Sequence, residues 1–466
     1  MIRVVSFLLL PLYTNSFTKE QTGYIFLIFT FIAFAQILFT YGFDSSFIKF
    51  YEGFSENFQN TNEYGCEKNS VGRTSLIILL ITSIFLSSMI IIFSNSISQY
   101  IFGFQNGKWI QYAALILFFE TISSRIMIIM RMEEKVYRFF IISFVNIIVS
   151  LIASYILVIY YQIGIAGVLL GMLLGVIMKC LLVLDLLINT ITKGFFSIQL
   201  LKKMVKFGLP FIPAAFFYLV LEMSDRFILY LMIGPDALGL YTIGYKLGSV
   251  GLFIITAFNL GWQPFYIKIG NQKESGEIFG KIGTTFLHIL ISIWALAIFW
   301  IPVLIKIKLG NNFLIGEEFW DSMQIVPIIF SSYLFYAGYV ILMPSIYLKE
   351  KQNWSPIFRG IGALINICLN FYFIKYWGIF GAALATLIAY MTMFLLIFIK
   401  SNQWLKILCN WHAIGKHFII TIIFIWMHLL TTQNLLTSIF FTFIYFALLN
   451  IMIEKINIYK NLKNLI

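Results

Sequence analysis

Apolar runs of about twenty residues, separated by short polar breaks, repeat along almost the whole chain. A transmembrane helix needs about 20 such residues. Hydropathy and breakers together predict thirteen full spans, near 22–43, 74–94, 109–131, 139–160, 164–189, 207–233, 239–262, 280–304, 322–346, 355–375, 378–400, 413–431 and 434–453. A shorter apolar segment, residues 1–13, opens the chain. Its single Arg and apolar run suit a signal peptide, but TNSFTKEQTG follows with no small-residue cleavage site. It reads better as the second half of a transmembrane helix, whose natural start would then lie upstream of Met1. The expected fold is therefore an all-α polytopic membrane protein with about 14 transmembrane helices.

Small residues add a second pattern. Gly164, Gly167, Gly171 and Gly175 form a ladder in GIAGVLLGMLLG, and Gly378, Gly381, Ala385 and Ala389 repeat it in GIFGAALATLIAY. Steps of three and four keep the rungs on one helix face, where small residues let two membrane backbones approach closely. The copies lie 214 positions apart. Upstream, Glu134-Lys135 matches Glu350-Lys351 at an offset of 216, so the hairpin before the ladder is two residues shorter in the second copy. Gly23 and Gly239 are also 216 apart, and GFDSSFIKF matches GWQPFYIKI. The chain thus divides into a six-helix bundle at 1–190, a second at 200–400, and two extra helices with a cytoplasmic tail at 401–466. An even number of spans gives both halves one orientation, with a pseudo-two-fold axis along the membrane normal.

Composition agrees with this reading. Hydrophobic residues make up 60% and charged residues 11% of the 466, against about 45–50% and 25% in soluble domains. The net charge of +12 invites a nucleic-acid reading, but the basic residues are scattered singly rather than gathered in a patch. They follow topology instead. With the N-terminus in the cytoplasm, 23 of the 32 Lys and Arg fall on the cytoplasmic side, five outside and four within spans. Both termini are then cytoplasmic. External loops are short, the longest lying between Ile305 and Asp321; the longest cytoplasmic loop runs from Asp44 to Gly72. Cys66, Cys180, Cys368 and Cys409 have no metal or redox spacing, and His288, His412, His417 and His428 form no ligand pattern. No metal, cofactor or catalytic residue is expected.

The most specific stretch begins the second half: Phe207, Gly208, Pro210 and Pro213, then Ser224-Asp225-Arg226, Gly234, Gly239 and Tyr241, Gly244-Tyr245-Lys246, and Trp262 with Pro264. These signatures resemble the polysaccharide-biosynthesis (O-antigen, lipid-linked oligosaccharide) flippases of the multidrug/oligosaccharidyl-lipid/polysaccharide exporter superfamily. LLLPLYTNSFTKEQTGY is similar to that family's first loop. The resemblance implies two six-helix bundles around a central cavity in the bacterial inner membrane. It implies alternating-access movement of undecaprenyl-diphosphate-linked oligosaccharide between leaflets, and no enzymatic activity. Implied partners are the lipid-linked oligosaccharide, membrane lipids, and polysaccharide polymerase and chain-length machinery. Another exporter of the superfamily, for peptidoglycan precursors or for drugs and cations, is the nearer alternative. A membrane glycosyl polymerase or ligase is the more distant one, for which the external loops are too short.

Charges within predicted spans point to a site, because burying one costs at least about 2.5–3.5 kcal/mol. Arg226, Lys246, Arg125 and Lys179 are candidates for a cationic cavity that holds a diphosphate by charge-assisted hydrogen bonds. Glu120, Asp225 and Glu222 are candidates for proton or ion coupling. The alternative for Arg226 and the carboxylates is mutual neutralisation: Glu222 sits four residues before Arg226 on the same face, whereas Glu120 and Arg125, five apart, are poorly placed to pair. The alternative for Arg125, six residues before Arg131, and for Lys179 is a cytoplasmic-end anchor.

Overall fold

The computed structural model describes residues 5, 7–56, 68–209, 211–270, 272–310 and 312–456. Pro210 and Cys66 lie outside them, as do residues 1–4 and 6 of the opening segment and the tail after residue 456. Two compact units emerge, Met1–Leu219 and Val220–Ile466.

In the first unit, α1 is the short Leu10–Ser16 and α2 is Lys19–Thr40. A capping box starts α2: Gln21 N donates to Thr18 Oγ1 at 3.3 Å and Thr18 N donates to Gln21 Oε1 at 3.2 Å, which satisfies amides the first turn leaves open. Then come α3 (Phe43–Glu56), α4 (Lys68–Ile92), α5 (Ser94–Phe102) and α6 (Gly107–Met132). The helix α7 (Val136–Tyr155) winds into a π turn at Ile156–Tyr160 before α8 (Ile165–Leu182), α9 (Leu184–Thr192) and α10 (Ile198–Gly208). The segment from Asp44, read above as loop, is helical in its first part. Phe43, Phe47 and Tyr51 recur every four residues and bury against Val71, Ile126 and Met130, an apolar stripe strong enough to order a polar stretch.

In the second unit, α11 (Phe211–Met232), which begins in the first, leads to α12 (Pro235–Gly248) and α13 (Val250–Ile269). α14 is Ser275–Leu304, and a two-residue hairpin, β1 (Lys308–Leu309) with β2 (Asn312–Phe313), leads to a 3₁₀ segment at Glu317–Ile325. α15 (Val326–Leu342), α16 (Pro344–Tyr347), α17 (Trp354–Trp404), α18 (Trp411–Leu429) and α19 (Leu435–Ile456) complete it.

Every one of the thirteen long predicted spans has a helical counterpart. Ten helices among the described residues are long and apolar enough to cross a membrane. The difference has local causes. α17 covers two predicted spans, joined through Gly378, which alone departs from helical geometry at φ 53°, ψ −129°. α11 is long enough, but Glu222, Asp225 and Arg226 interrupt its apolar character. α19 counts only as a shorter apolar helix, Leu435–Leu449, among the described residues. The span predicted at 239–262 keeps a crossing-length helix, α13, but is broken at Ser249, whose backbone N donates to Tyr245 O at 2.8 Å and whose hydroxyl donates to Lys246 O at 2.8 Å. α12 is left as a fourteen-residue helix.

The sequence duplication reappears as matched backbone geometry. Glu134 and Glu350 both adopt left-handed conformations, at φ 56° and 54°. The next residue closes the same bond in each: Lys135 N to Met130 O and Lys351 N to Ile346 O, both 2.8 Å. Gly164, at φ 68° and ψ −142°, matches Gly378.

The first ladder packs on α7. A Cβ at Gly171 would meet Ser154 N at 2.5 Å and Ser154 Cα at 2.7 Å, and one at Gly175 would meet Asn146 O at 2.8 Å. The second ladder turns inward too: Ala385 and Ala389 are fully buried. Gly171→Val should destabilise the protein by about 1–3 kcal/mol through overpacking. Gly261→Ala, where added volume meets open space, should be neutral or slightly stabilising. Unfolding of both variants in one detergent checks this; equal stability would contradict close helix packing at the ladder.

Candidate functional site

In a low-dielectric interior an isolated ion is costly, so the informative question is where each membrane-depth charge finds its partner. The first unit holds two such pairs. Glu120 on α6 accepts from Lys179 Nζ on α8 at 2.6 Å, and its other oxygen accepts from Ser124 Oγ at 3.0 Å. The Lys179 side chain is 2% exposed and that of Glu120 15%. Five residues further along α6, Arg125 points elsewhere, because a helix turns about 140° in five residues. Arg125 Nη2 donates to Asp44 Oδ1 at 2.9 Å, and Nη1 donates to Phe43 O at 3.5 Å. Its guanidinium carbon lies 4.7 Å from the Phe47 ring centroid, a cation–π placement. Arg125 is buried, while the Asp44 side chain is 50% exposed. Asp44 sits in the first turn of α3, where the helix dipole favours a carboxylate.

The second unit gathers its charges around α11. Asp225 is fully buried. Its Oδ2 accepts from Tyr241 OH at 2.5 Å, and its Oδ1 accepts from Arg226 N at 2.8 Å and lies 3.4 Å from Arg226 Nη1. Arg226 also donates to the backbone carbonyl of Glu222, and its guanidinium carbon stands 4.4 Å from the Tyr245 ring centroid. Glu222 accepts from Tyr390 OH on α17. Tyr245 OH and Tyr333 OH, the latter on α15, are 2.9 Å apart. Lys246 occupies the last turn of α12, where carbonyls left open by the break at Ser249 favour a cation.

A neutral polar cluster adjoins these groups. Ser224 Oγ and Asn370 Nδ2 donate to Asn366 Oδ1 at 3.0 and 2.9 Å. Asn366 Nδ2 donates to Thr386 Oγ1 at 3.4 Å. Asn366, Asn370 and Thr386 are fully buried, and all lie on α17.

The structure thus brings Arg226, Asp225, Glu222 and Lys246 into one neighbourhood of the second unit. Glu120, Lys179 and Arg125 form separate pairs in the first. Glu120 takes Lys179 rather than Arg125, and Arg226 reaches both Asp225 and the backbone of Glu222, four residues earlier. Sequence reasoning missed the tyrosines. Tyr241 and Tyr245 lie inside the quoted signatures, and Tyr390 closes the second ladder, so their positions were on the page as motif members without a chemical role. It also missed that His288 Nδ1 and His417 Nδ1 approach to 2.8 Å, with His417 Nε2 2.8 Å from Tyr445 OH. No group of three His, Cys, Asp or Glu able to hold a metal ion occurs among the described residues.

Each site is nearly charge-balanced. Glu120 with Lys179 and Asp44 with Arg125 cancel, as do Glu222 and Asp225 with Arg226 and Lys246. An anion entering such a site has to take a cation from its carboxylate, and the carboxylate then needs a proton or another cation.

A family model described as polysaccharide biosynthesis protein matches residues 1–268. Among solved structures, the fold is similar to the lipid II flippase MurJ in an inward closed conformation, at 17% identity and TM-score 0.69, over 96% of each chain. It is similar to an inward-facing multidrug resistance MATE family transporter of the MOP superfamily, at 14% identity and TM-score 0.63, over 89% of this chain and 96% of that one. The Vibrio cholerae MATE transporter VcmN in its bent form aligns at 10% identity and TM-score 0.55, over 89% and 93%. No curated protein sequence matches the chain.

Breaking the Glu120–Lys179 pair should be more harmful than removing it. Glu120→Gln and Lys179→Met singly should each cost about 3–5 kcal/mol, because one buried ion loses its partner. The double variant should recover most of that loss. A thermodynamic cycle in detergent measures the coupling, and additive losses would show that the two groups do not depend on each other.

Proposed function

We propose that this chain, which belongs to the polysaccharide biosynthesis protein family, is a flippase for undecaprenyl-diphosphate-linked oligosaccharides. The cargo is a repeat unit of O-antigen, capsule or exopolysaccharide type, carried from the inner to the outer leaflet of a bacterial inner membrane. The chain is a multi-pass membrane protein with the fold of exporters of its superfamily, and the relatives of that fold are transporters rather than enzymes. Flipping needs no covalent chemistry; it needs a shielded path for a polar head and two accessible states of the protein.

The observation that carries this reading is the set of cations held at membrane depth by removable partners. Arg226, Lys246, Lys179 and Arg125 suit the diphosphate that joins sugar to lipid. Arg226 is the leading candidate, because its planar fork can hold two phosphate oxygens at once and a neighbouring carboxylate already occupies it. The diphosphate replaces Asp225 at the guanidinium, and Asp225 stays hydrogen-bonded to Tyr241. Asp225, Glu222 and Glu120 are then the groups at which ion or proton coupling acts: a carboxylate displaced from its cation in a dry site takes up a compensating charge.

The test is complementation of a strain lacking the protein. Arg226→Ala and Arg226→Lys should both reduce surface polysaccharide severalfold at normal protein level, with lipid-linked oligosaccharide accumulating on the cytoplasmic side. Wild-type polysaccharide from the Ala variant would remove Arg226 from the mechanism. Loss of cell-wall precursor flipping with intact polysaccharide would instead assign the chain to peptidoglycan-precursor transport.

A further inference from the structure

A basic and aromatic surface in the first unit takes no part in either charge site. From Leu186 to Leu221 the chain has four lysines, Lys193, Lys202, Lys203 and Lys206, and no Asp or Glu. Three of them lie on α10, which is strongly two-sided. Leu200, Met204 and Gly208, spaced by four, are buried, with Leu200 and Met204 packed into the cluster of Phe43, Phe47 and Val71. Lys202, Lys203 and Lys206 face the opposite side and are exposed. At the N-terminal end of the helix, Phe195, Phe196 and Ile198 are exposed at 48%, 42% and 61%.

This surface is held in place. Arg73 Nη1 donates to Gly194 O at 2.7 Å. Phe195 N donates to Ser70 Oγ, and Ser197 N to Thr74 Oγ1, each at 3.1 Å. Ser46 Oγ donates to Met204 O at 2.8 Å. The first turns of α4 therefore fix the segment, and the side chains project from a rigid base. Exposed aromatic and aliphatic groups beside a row of lysines, on a short helix at the end of membrane-crossing helices, match the physics of an interfacial helix. Lysines at that depth feel the negative potential of anionic lipids.

We propose that Lys193, Lys202, Lys203 and Lys206, with Phe195, Phe196 and Ile198, form a docking surface for anionic phospholipid headgroups of the adjacent leaflet. The apolar groups enter the headgroup boundary and the lysines pair with phosphates. The run without a carboxylate sets four like charges close along the chain, and the apolar rim favours a lipid over a soluble acidic protein. This inference is independent of the cargo.

The experiment uses the full-length protein in a zwitterionic detergent. Its thermal unfolding is followed while phosphatidylglycerol or phosphatidylcholine is added. Phosphatidylglycerol should raise the midpoint, phosphatidylcholine should not, and about 1 M salt should suppress the effect because screening is then nearly complete within 3 Å. Each lysine removed should weaken phosphatidylglycerol binding by about fivefold. The triple change Lys202→Gln, Lys203→Gln, Lys206→Gln should therefore lose most of the shift, while the corresponding Arg triple keeps it. A folded Gln triple that retains the full shift overturns the proposal, as does equal stabilisation by phosphatidylcholine or displacement of phosphatidylglycerol by a polyglutamate peptide. If the Gln triple does not fold, the single Lys202→Gln variant and the salt titration decide: a salt-insensitive shift overturns the proposal.

Discussion

An ionised side chain at membrane depth cannot be left alone, and this constraint organises both units. Lipid offers neither water nor counter-ion, so each charge recruits a partner from another helix or from a neighbouring turn. In the first unit these partnerships tie α6 to α8 and α3 to α6. In the second they tie α11 to α12 through Asp225 and Tyr241, and α11 to α17 through Glu222 and Tyr390. Helices that share no apolar periodicity strong enough to orient them are oriented by the need to neutralise or solvate one another. The polar residues that would weaken a membrane protein are here the ones that specify which helices meet.

The same economy explains where the helices break. Gly378 sits between two predicted spans of one 51-residue helix, and its φ is open to glycine at little cost. Ser249 divides another helix and supplies its own hydroxyl to a freed carbonyl, so the interruption leaves fewer unsatisfied groups in lipid. Lys246 then lies at a helix end, a better place for a cation than a helix centre.

Much of this was legible in the sequence. Apolar runs located the helices, because each must match the thickness of a bilayer. The ladders and the Glu-Lys turns located the duplication, and Glu134 and Glu350 share a backbone conformation that only a shared local architecture would require. What remained hidden was pairing at long range. Glu120 and Lys179 are 59 positions apart, and nothing in either neighbourhood names the other. Tyr241, Tyr245 and Tyr390 looked like motif or packing residues, since a hydroxyl's role depends on the carboxylate it reaches. α3 was hidden for a different reason: its overall polarity masks a stripe of three aromatic residues that becomes visible only once a hydrophobic surface exists to receive it.

The π turn at Ile156–Tyr160 lies between the matched Glu134 and Gly164, in the copy that is two residues longer. In the second copy, the stretch from Trp354 to Gly378 is α-helical without interruption. A π turn is the usual imprint of a residue inserted into a helix. The two extra residues of the first copy are accommodated there by one widened turn together with the non-helical Tyr161–Ile163 that follows it. The ladder beyond it returned to phase, and the close contact between the two helices survived a change in chain length.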